Sequence, residues 1–210
     1  MFTGIVAAIG KIISLQPQST QIDAGVRLTI DAGALPLADV AIGDSIALNG
    51  ACMTVVARTD SGFCVDVSRE SLNRTAGLDV LGEVNLEKAL TLADRLGGHL
   101  VSGHVDGLGI VRKFEPVAES WDLVIEAPKD LAKYLAYKGS IVVNGVSLTV
   151  NRVIDTADAC EFSINLIPHT IEVTTLKHLR NGAKVNLEID LIARYVERML
   201  SAPEPVKRQK

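Results

Sequence analysis

Aromatic side chains are scarce in this 210-residue chain, at 4% for Phe, Tyr and Trp together. No platform for stacking nucleic-acid bases is expected, and a ligand pocket must be built from aliphatics, backbone groups and small polar side chains. A basic excess is missing too: 21 Lys and Arg face 25 Asp and Glu, and the net charge of -4 argues against a polyanionic partner. Only three cysteines occur, Cys52, Cys64 and Cys160, irregularly spaced and without a Cys-x-x-Cys pair. They read as reduced thiols, and no metal site is expected. Long apolar runs of membrane-spanning length are absent, and the opening residues lack the basic segment of a secretory signal, so a soluble cytoplasmic protein is expected. Also lacking are Gly-x-Gly-x-x-Gly, Walker, Gly-x-Ser-x-Gly and His-Glu-x-x-His patterns, which removes the usual warrants for nucleotide cofactors and hydrolase triads.

What is present is 48% hydrophobic residues and a mean hydropathy of +0.27, enough for one large core or two small ones. An internal repeat decides between them. Asn49-Gly50-Ala51-Cys52-Met53-Thr54-Val55 returns as Asn144-Gly145-Val146-Ser147-Leu148-Thr149-Val150, each preceded by a Ser-Ile step at Ser45 and Ser140. Phe2-Thr3-Gly4-Ile5-Val6 returns as Val101-Ser102-Gly103-His104-Val105, the block Asp66 to Leu72 as Asn165 to Ile171, and Val84-Asn85-Leu86-Glu87 as Val185-Asn186-Leu187-Glu188. Four blocks in one order mark a tandem duplication with a period far above that of solenoid repeats.

Within each half, runs such as Val26 to Ile30, Phe63 to Val67 and Phe162 to Leu166 alternate with the period of half-buried strands. Short strands between glycine-bearing turns favour a small closed barrel or a sandwich. Two segments are predicted helical: a short one beginning at Pro128, and a C-terminal one in which Leu191, Ile192, Tyr195, Val196, Met199 and Leu200 share a stripe behind an Asp190 cap. Six such side chains at roughly 1.5–3 kcal/mol each are worth covering, either by self-association or by packing on the chain's own barrel.

Asn-Gly is a hairpin signal in both copies, because a type I′ turn needs positive φ at both central residues. Beyond each turn, Cys52 and Thr54 share one strand face, as do Ser147 and Thr149. Asp66, Ser68 and Glu70 likewise share a face, and Asn165, Ile167 and His169 the matching one, with Pro168 expected at a strand edge or end. His99 and His104, five residues apart, point to opposite strand faces and cannot chelate one ion. His104 stands where the first copy has Ile5; against the ordinary reading of a structural histidine, that asymmetry makes it the candidate for acid/base work. His178, in a basic turn, is expected to be solvated.

Met1-Phe2-Thr3-Gly4-Ile5-Val6, Asn49-Gly50-x-Cys52-x-Thr54-Val55, Gly98-His99-Leu100-Val101-Ser102-Gly103-His104, Lys138-Gly139-Ser140 and Asn144 to Val150 together resemble the riboflavin synthase family, α-chain type. The resemblance covers both halves and the terminal helix. It implies an all-β chain of two tandem six-stranded antiparallel Greek-key-type barrels, residues 1–98 and 99–189. A trimerising helix over 190–201 and a disordered tail over 202–210 follow. It also implies a cofactor-free transferase reaction in which two molecules of 6,7-dimethyl-8-ribityllumazine exchange a four-carbon unit, giving riboflavin and 5-amino-6-ribitylaminouracil.

Ligand contacts implied for the first barrel are Gly4, Ile5 and Val6; Cys52, Met53 and Thr54; and Asp66, Val67, Ser68, Arg69, Glu70 and Ser71. For the second they are Gly103, His104 and Val105; Lys138; Ser147, Leu148 and Thr149; and Asn165, Leu166, Ile167, Pro168, His169 and Thr170. In the family each site joins one subunit's first barrel to a neighbour's second. His104, Ser147 and Thr149 are the candidates for proton transfer or polarisation, and Cys52 for a thiol beside the first-barrel ligand. Departures are modest: Ala51-Cys52 replaces paired cysteines, Asn144 an aspartate and His169 a glutamate found in some members. The competing reading is a non-catalytic lumazine- or flavin-binding antenna protein of the same fold; a flavin-dependent reductase would need a nucleotide-binding domain for which the length leaves no room.

Overall fold

The computed structural model describes residues 1–21 and 23–202, so most of the expected disordered tail, residues 203–210, lies outside the described residues. The first half contributes β1 (Ala8–Pro17), β2 (Val26–Asp31), β3 (Ser45–Leu48), β4 (Ala51–Arg58), β5 (Gly62–Val67) and β6 (Gly82–Lys88), with α1 (Arg69–Arg74) between the last two. Antiparallel pairing closes them into a barrel in the order β1-β2-β5-β4-β3-β6. The period-two pattern does what alternation requires: Leu28, Ile30, Phe63, Val65 and Val55 point inward and are fully buried. Closure leaves no unpaired outer edge strand.

The second half contributes β7 (Gly107–Val117), β8 (Ser120–Pro128), β9 (Ser140–Val143), β10 (Val146–Thr149), β11 (Arg152–Asp155), β12 (Ala159–Leu166) and β13 (Lys184–Ile189). Their order, β10-β9-β13-β7-β8-β12-β11, follows the same circuit as the first barrel, with β10 and β11 sharing the place of β4. Seven strands in a curled sheet thus stand where six closed strands are expected. The chain leaves the ladder at Val150, whose N–H donates to the Gly139 carbonyl at 2.9 Å while its carbonyl accepts from Lys138 N–H at 2.7 Å. Val55 makes the equivalent pair of bonds with Asp44 and Gly43, both at 2.8 Å, and there β4 bulges between Val55 and Ala57 instead of breaking.

Two sequence expectations are refined by proline. The segment after Pro128 is a 3-10 turn, Lys129–Tyr134, and Pro168 lies past β12 as the first residue of α2 (Pro168–Glu172). A missing N–H costs least in the first turn of a helix, so Pro168 ends the strand and starts the helix.

The halves are joined through their Asn-Gly turns. Asn49, Gly50, Asn144 and Gly145 all have positive φ, as type I′ turns require. Asn85 Nδ2 donates to the Asn144 carbonyl at 2.8 Å, and Asn186 Nδ2 to the Asn49 carbonyl at 2.9 Å, one bond in each direction. The leading segments are exchanged as well. Val6 packs against the core of the second half and Val105 against that of the first, while Phe2 and Val101 pair with each other by hydrogen bonds of 2.7 and 3.1 Å.

Beyond β13, α3 (Leu191–Ser201) is capped by Asp190, whose carboxylate accepts from Ile192 N–H at 2.8 Å. The helix meets its own barrel through polar residues: Arg194 binds Asp106 at 2.5 Å and Glu197 binds Lys133 at 2.6 Å. Its apolar stripe is left outward, with Met199 77% and Leu200 83% exposed. Of the six stripe residues only Leu191 is half-buried, and Ile192, Tyr195, Val196, Met199 and Leu200 do not pack on the chain's own barrel. No helix among the described residues is long and apolar enough to cross a membrane.

Candidate functional site

At one place in each half the ladder parts locally: at one end of the β4–β5 seam of the closed barrel, and between β10 and β12 of the curled sheet. The β4–β5 ladder begins at Val55 opposite Val65, so the Cys52–Thr54 edge and the end of β5 are not paired to one another. In the second half β10 pairs with β9 and not with β12, which repeats the slit between Ser147–Thr149 and the end of β12. Neither edge has a ladder partner across the slit, and the Cys52 and Ser147 N–H groups bond the carbonyls of Gly103 and Gly4 instead. These lips carry most of the residues singled out in the sequence. Along the first, Cys52 and Thr54 face outward between buried Ala51, Met53 and Val55; along the second, Ser147 and Thr149 do so between buried Val146, Leu148 and Val150.

Met53, Val67, Leu148 and Leu166 belong to the cores, so only their backbone can face a ligand. Asp66, at the end of β5, is held by Arg27 through bonds of 2.7 and 2.8 Å, and the guanidinium keeps its carboxyl below the ordinary range. Ser68 is taken up in capping α1, accepting from Ser71 N–H at 3.0 Å, and Glu70 pairs with Arg74. Arg69 reaches the Ala24 carbonyl at 2.8 Å. On the other side Asn165 Nδ2 donates to Ser120 Oγ at 2.8 Å. Ile167, Pro168 and His169 are exposed at the start of α2, where Thr170 is half-buried.

The straps reverse the grouping expected from the resemblance. Gly4 accepts from Ser147 N–H at 2.7 Å, and Gly103 accepts from Cys52 N–H at 2.8 Å, so each strap lies against the other half's slot. The approach demands glycine: a Cβ on Gly4 or Gly103, both at positive φ, would lie 2.7 Å from the Cβ of Ser147 or Cys52. Ile5 and His104 follow these glycines and are exposed, one beside each slot. Both straps are anchored by a buried glutamate. Glu87 accepts from Thr3 N–H, Thr3 Oγ1 and Gly4 N–H at 2.6, 2.7 and 3.0 Å; Glu188 accepts from Ser102 N–H, Ser102 Oγ and Gly103 N–H at 2.6, 2.6 and 3.0 Å. Burial pushes both carboxyls up, and the three donors pull each back only in part.

Sequence reasoning set His99 aside, and the structure places it at the second slot. Its Nδ1 lies 2.7 Å from Ser147 Oγ, its Nε2 is buried without a protein partner, and its backbone N–H donates to Thr3 carbonyl at 3.1 Å. Burial holds the imidazole below the ordinary histidine range, with Asp190 acting weakly the other way. A neutral ring beside a hydroxyl can take a proton from it. The only sequence signal was position: residue 99 opens the strap block, and no spacing rule connects it to Ser147. His178 is exposed, as expected, and at the surface its Nε2 lies 2.8 Å from a Glu83 carboxylate oxygen of the first half. Lys138 has positive φ, and its Nζ donates to Asn151 Oδ1, two residues past Thr149, at 3.0 Å. A cavity of about 610 Å³ lies along the outer side of the Ile5 strap, lined by Thr3, Ser45, Glu87 and Arg95 among others.

Two equivalent β halves with exchanged straps and matching openings define a tandem-domain β protein. Residues 3–89 and 102–190 each match the lumazine binding domain, and the chain belongs to that family. It is 43% identical to riboflavin synthase of Photobacterium phosphoreum, across 100% of this chain and 93% of the relative, and 45% identical to riboflavin synthase of Mycobacterium bovis, across 95% and 98%. Among solved structures it is similar to LumP complexed with 6,7-dimethyl-8-(1'-D-ribityl) lumazine, with TM-score 0.74 and 27% identity over 90% of this chain and 99% of that one. The complex of LumP with riboflavin gives 0.75 at the same identity and coverage.

Proposed function

We propose that the protein is a riboflavin synthase, a transferase that moves a four-carbon unit between two molecules of 6,7-dimethyl-8-ribityllumazine. The observation that carries this is the pair of slots, each with a polar pair on its lip, Cys52 with Thr54 and Ser147 with Thr149, and each covered by a strap from the other half. A reaction whose donor and acceptor are the same compound needs two similar sites, and holding both molecules in register supplies several kcal/mol of the barrier. Identity of 43–45% to curated riboflavin synthases against 27% to LumP supports the enzyme over a protein that only binds.

In this reading Cys52–Thr54 with Asp66–Ser71 form one ligand-binding lip pair, completed by Gly103, His104 and Val105. Lys138, Ser147–Thr149 and Asn165–Thr170 form the other, completed by Gly4, Ile5 and Val6. The donor loses a proton from its C7 methyl group and the acceptor is attacked at C7. Ser147, backed by neutral His99, is placed to accept or relay a proton, with Thr149 polarising on the same lip. His104 and Cys52 serve the first slot. The outward stripe of α3 supports association of three chains, with donor and acceptor slots meeting between neighbours, and a cytoplasmic location suits such an enzyme.

The test is incubation of the purified protein with 6,7-dimethyl-8-ribityllumazine alone. Riboflavin absorbance growing with an equal amount of 5-amino-6-ribitylaminouracil supports the enzyme. Stoichiometric binding without riboflavin supports the LumP-like alternative. His104→Gln is expected to lower turnover more than lumazine affinity.

A further inference from the structure

The two straps differ in one respect that the repeat obscures. Ala7 and Asp106 occupy equivalent places three residues past the strap glycine, and both backbone N–H groups bond the following half-barrel in the same way, to Leu86 and Leu187 carbonyls at 2.9 and 2.8 Å. Ala7 has nothing further to offer. The Asp106 side chain, 14% exposed, uses both oxygens: Oδ2 accepts from Ile189 N–H at 2.9 Å and Oδ1 from Arg194 Nη2 at 2.5 Å. The strap carrying His104 is therefore held at its start by Glu188 and at its end by Asp106. The strap carrying Ile5 has only the first of these side-chain anchors. Ile189 closes β13 and Arg194 lies on α3, so the second anchor reaches the C-terminal helix directly.

We infer that Asp106 and Arg194 are a positioning pair that locks the His104 strap to α3, so that the placement of the C-terminal helix sets the geometry of the first-barrel slot. A carboxylate fixed through both oxygens by a backbone N–H and a guanidinium restricts the strap two residues from His104, so losing it frees the backbone that positions the imidazole. The consequence is regulatory: a partner or neighbouring chain that breaks the Asp106–Arg194 pair acts on His104 without touching the slot, whereas loosening α3 with that pair intact does not. This inference rests on the enzyme reading for its effect on rate, while the lock itself stands on the bonds around Asp106.

The test compares Arg194→Ala, Arg194→Lys, Asp106→Ala, which installs the side chain found at the equivalent Ala7, and Glu197→Gln with the unaltered protein. Glu197→Gln weakens the other tether of α3, to Lys133 at 2.6 Å and Tyr134 at 3.3 Å, and leaves the strap lock intact. Expected is a tenfold or greater fall in kcat for Arg194→Ala and Asp106→Ala with KM within threefold, substantial recovery in Arg194→Lys, and kcat within twofold of normal for Glu197→Gln. Amide exchange over residues 103–106 should accelerate at least tenfold in Arg194→Ala while residues 4–7 stay unchanged. Unchanged exchange in that segment overturns the lock. Accelerated exchange with normal kcat overturns positioning, and so does an equal loss in Glu197→Gln or a loss reversed by raising protein concentration. If the unaltered protein makes no riboflavin, the enzyme reading fails, and the exchange comparison still decides whether the lock exists.

Discussion

Gly50 and Gly145 sit back to back across the junction of the two halves: a Cβ on either would lie 2.8 Å from the backbone nitrogen of the other. The Asn-Gly turns that sequence marks as hairpins are thus also the contact surface between the barrels. Gly145→Ala should cost about 2 kcal/mol or more, because it adds a clash with backbone to the strain of positive φ. Gly182→Ala, at the same φ of +82° with open space around it, isolates the strain and should cost about 1 kcal/mol. Denaturant unfolding of the two variants measures the difference; equal costs would mean that the junction yields.

His99 and Ser147 act as one unit in the proposed chemistry, and their contributions should not add. Ser147→Ala and His99→Ala are each expected to lower kcat by about 10²-fold with little change in lumazine affinity, and the double variant should be no slower than the worse single one. Steady-state kinetics with fluorescence titration of ligand checks this. Independent, multiplying losses would separate the two residues.

The half-buried imidazole also makes a pH prediction. Its folded pKa is below the ordinary value of about 6.5, so between the two values the unfolded chain binds more protons and stability rises with pH. If neutral His99 is the working form, kcat stays level on acidification through pH 6.5 and falls only below it, whereas an exposed histidine would lose activity near 6.5. A pH–rate profile with Ser147→Ala as reference shows which holds.

Glu87 and Glu188 carry the opposite sign. Their folded pKa values are raised above 4.5 by burial, so the stability they contribute is fully present below 4.5 and is lost as pH rises through the folded values. Removing either acceptor leaves three donors unpaired. Glu188→Ala should cost about 3 kcal/mol and raise KM, because the His104 strap comes free; Glu87→Ala should do the same to the Ile5 strap. The gap between each variant and the unaltered protein should widen on acidification, measured by thermal unfolding from pH 7 to 4.5.

The outward stripe of α3 predicts an assembly phenotype. Met199→Glu, at a position 77% exposed in the single chain, should leave the fold intact and shift the protein to smaller species in sedimentation, with activity lost in parallel. A fully active monomer would contradict sites shared between chains.

The amino-acid sequence by itself determined the duplication, the β class, the Asn-Gly turns, the cap at Asp190 and the two polar pairs, because each is written in local residue patterns of period two, period 3.6 or a repeated string. It also placed most lip residues, since those pairs are strand alternations. Tertiary structure alone decided which strap serves which slot, that His99 meets Ser147 across 48 residues, that β10 and β11 split where β4 only bulges, and that Asp106 is tied to α3. The reason is physical: alternation dictates which face a side chain takes, but two nearly identical halves satisfy the same local rules whether their leading segments stay or cross. Only close packing of Gly4 on Ser147 and Gly103 on Cys52, with the buried glutamates behind them, selects the crossed arrangement.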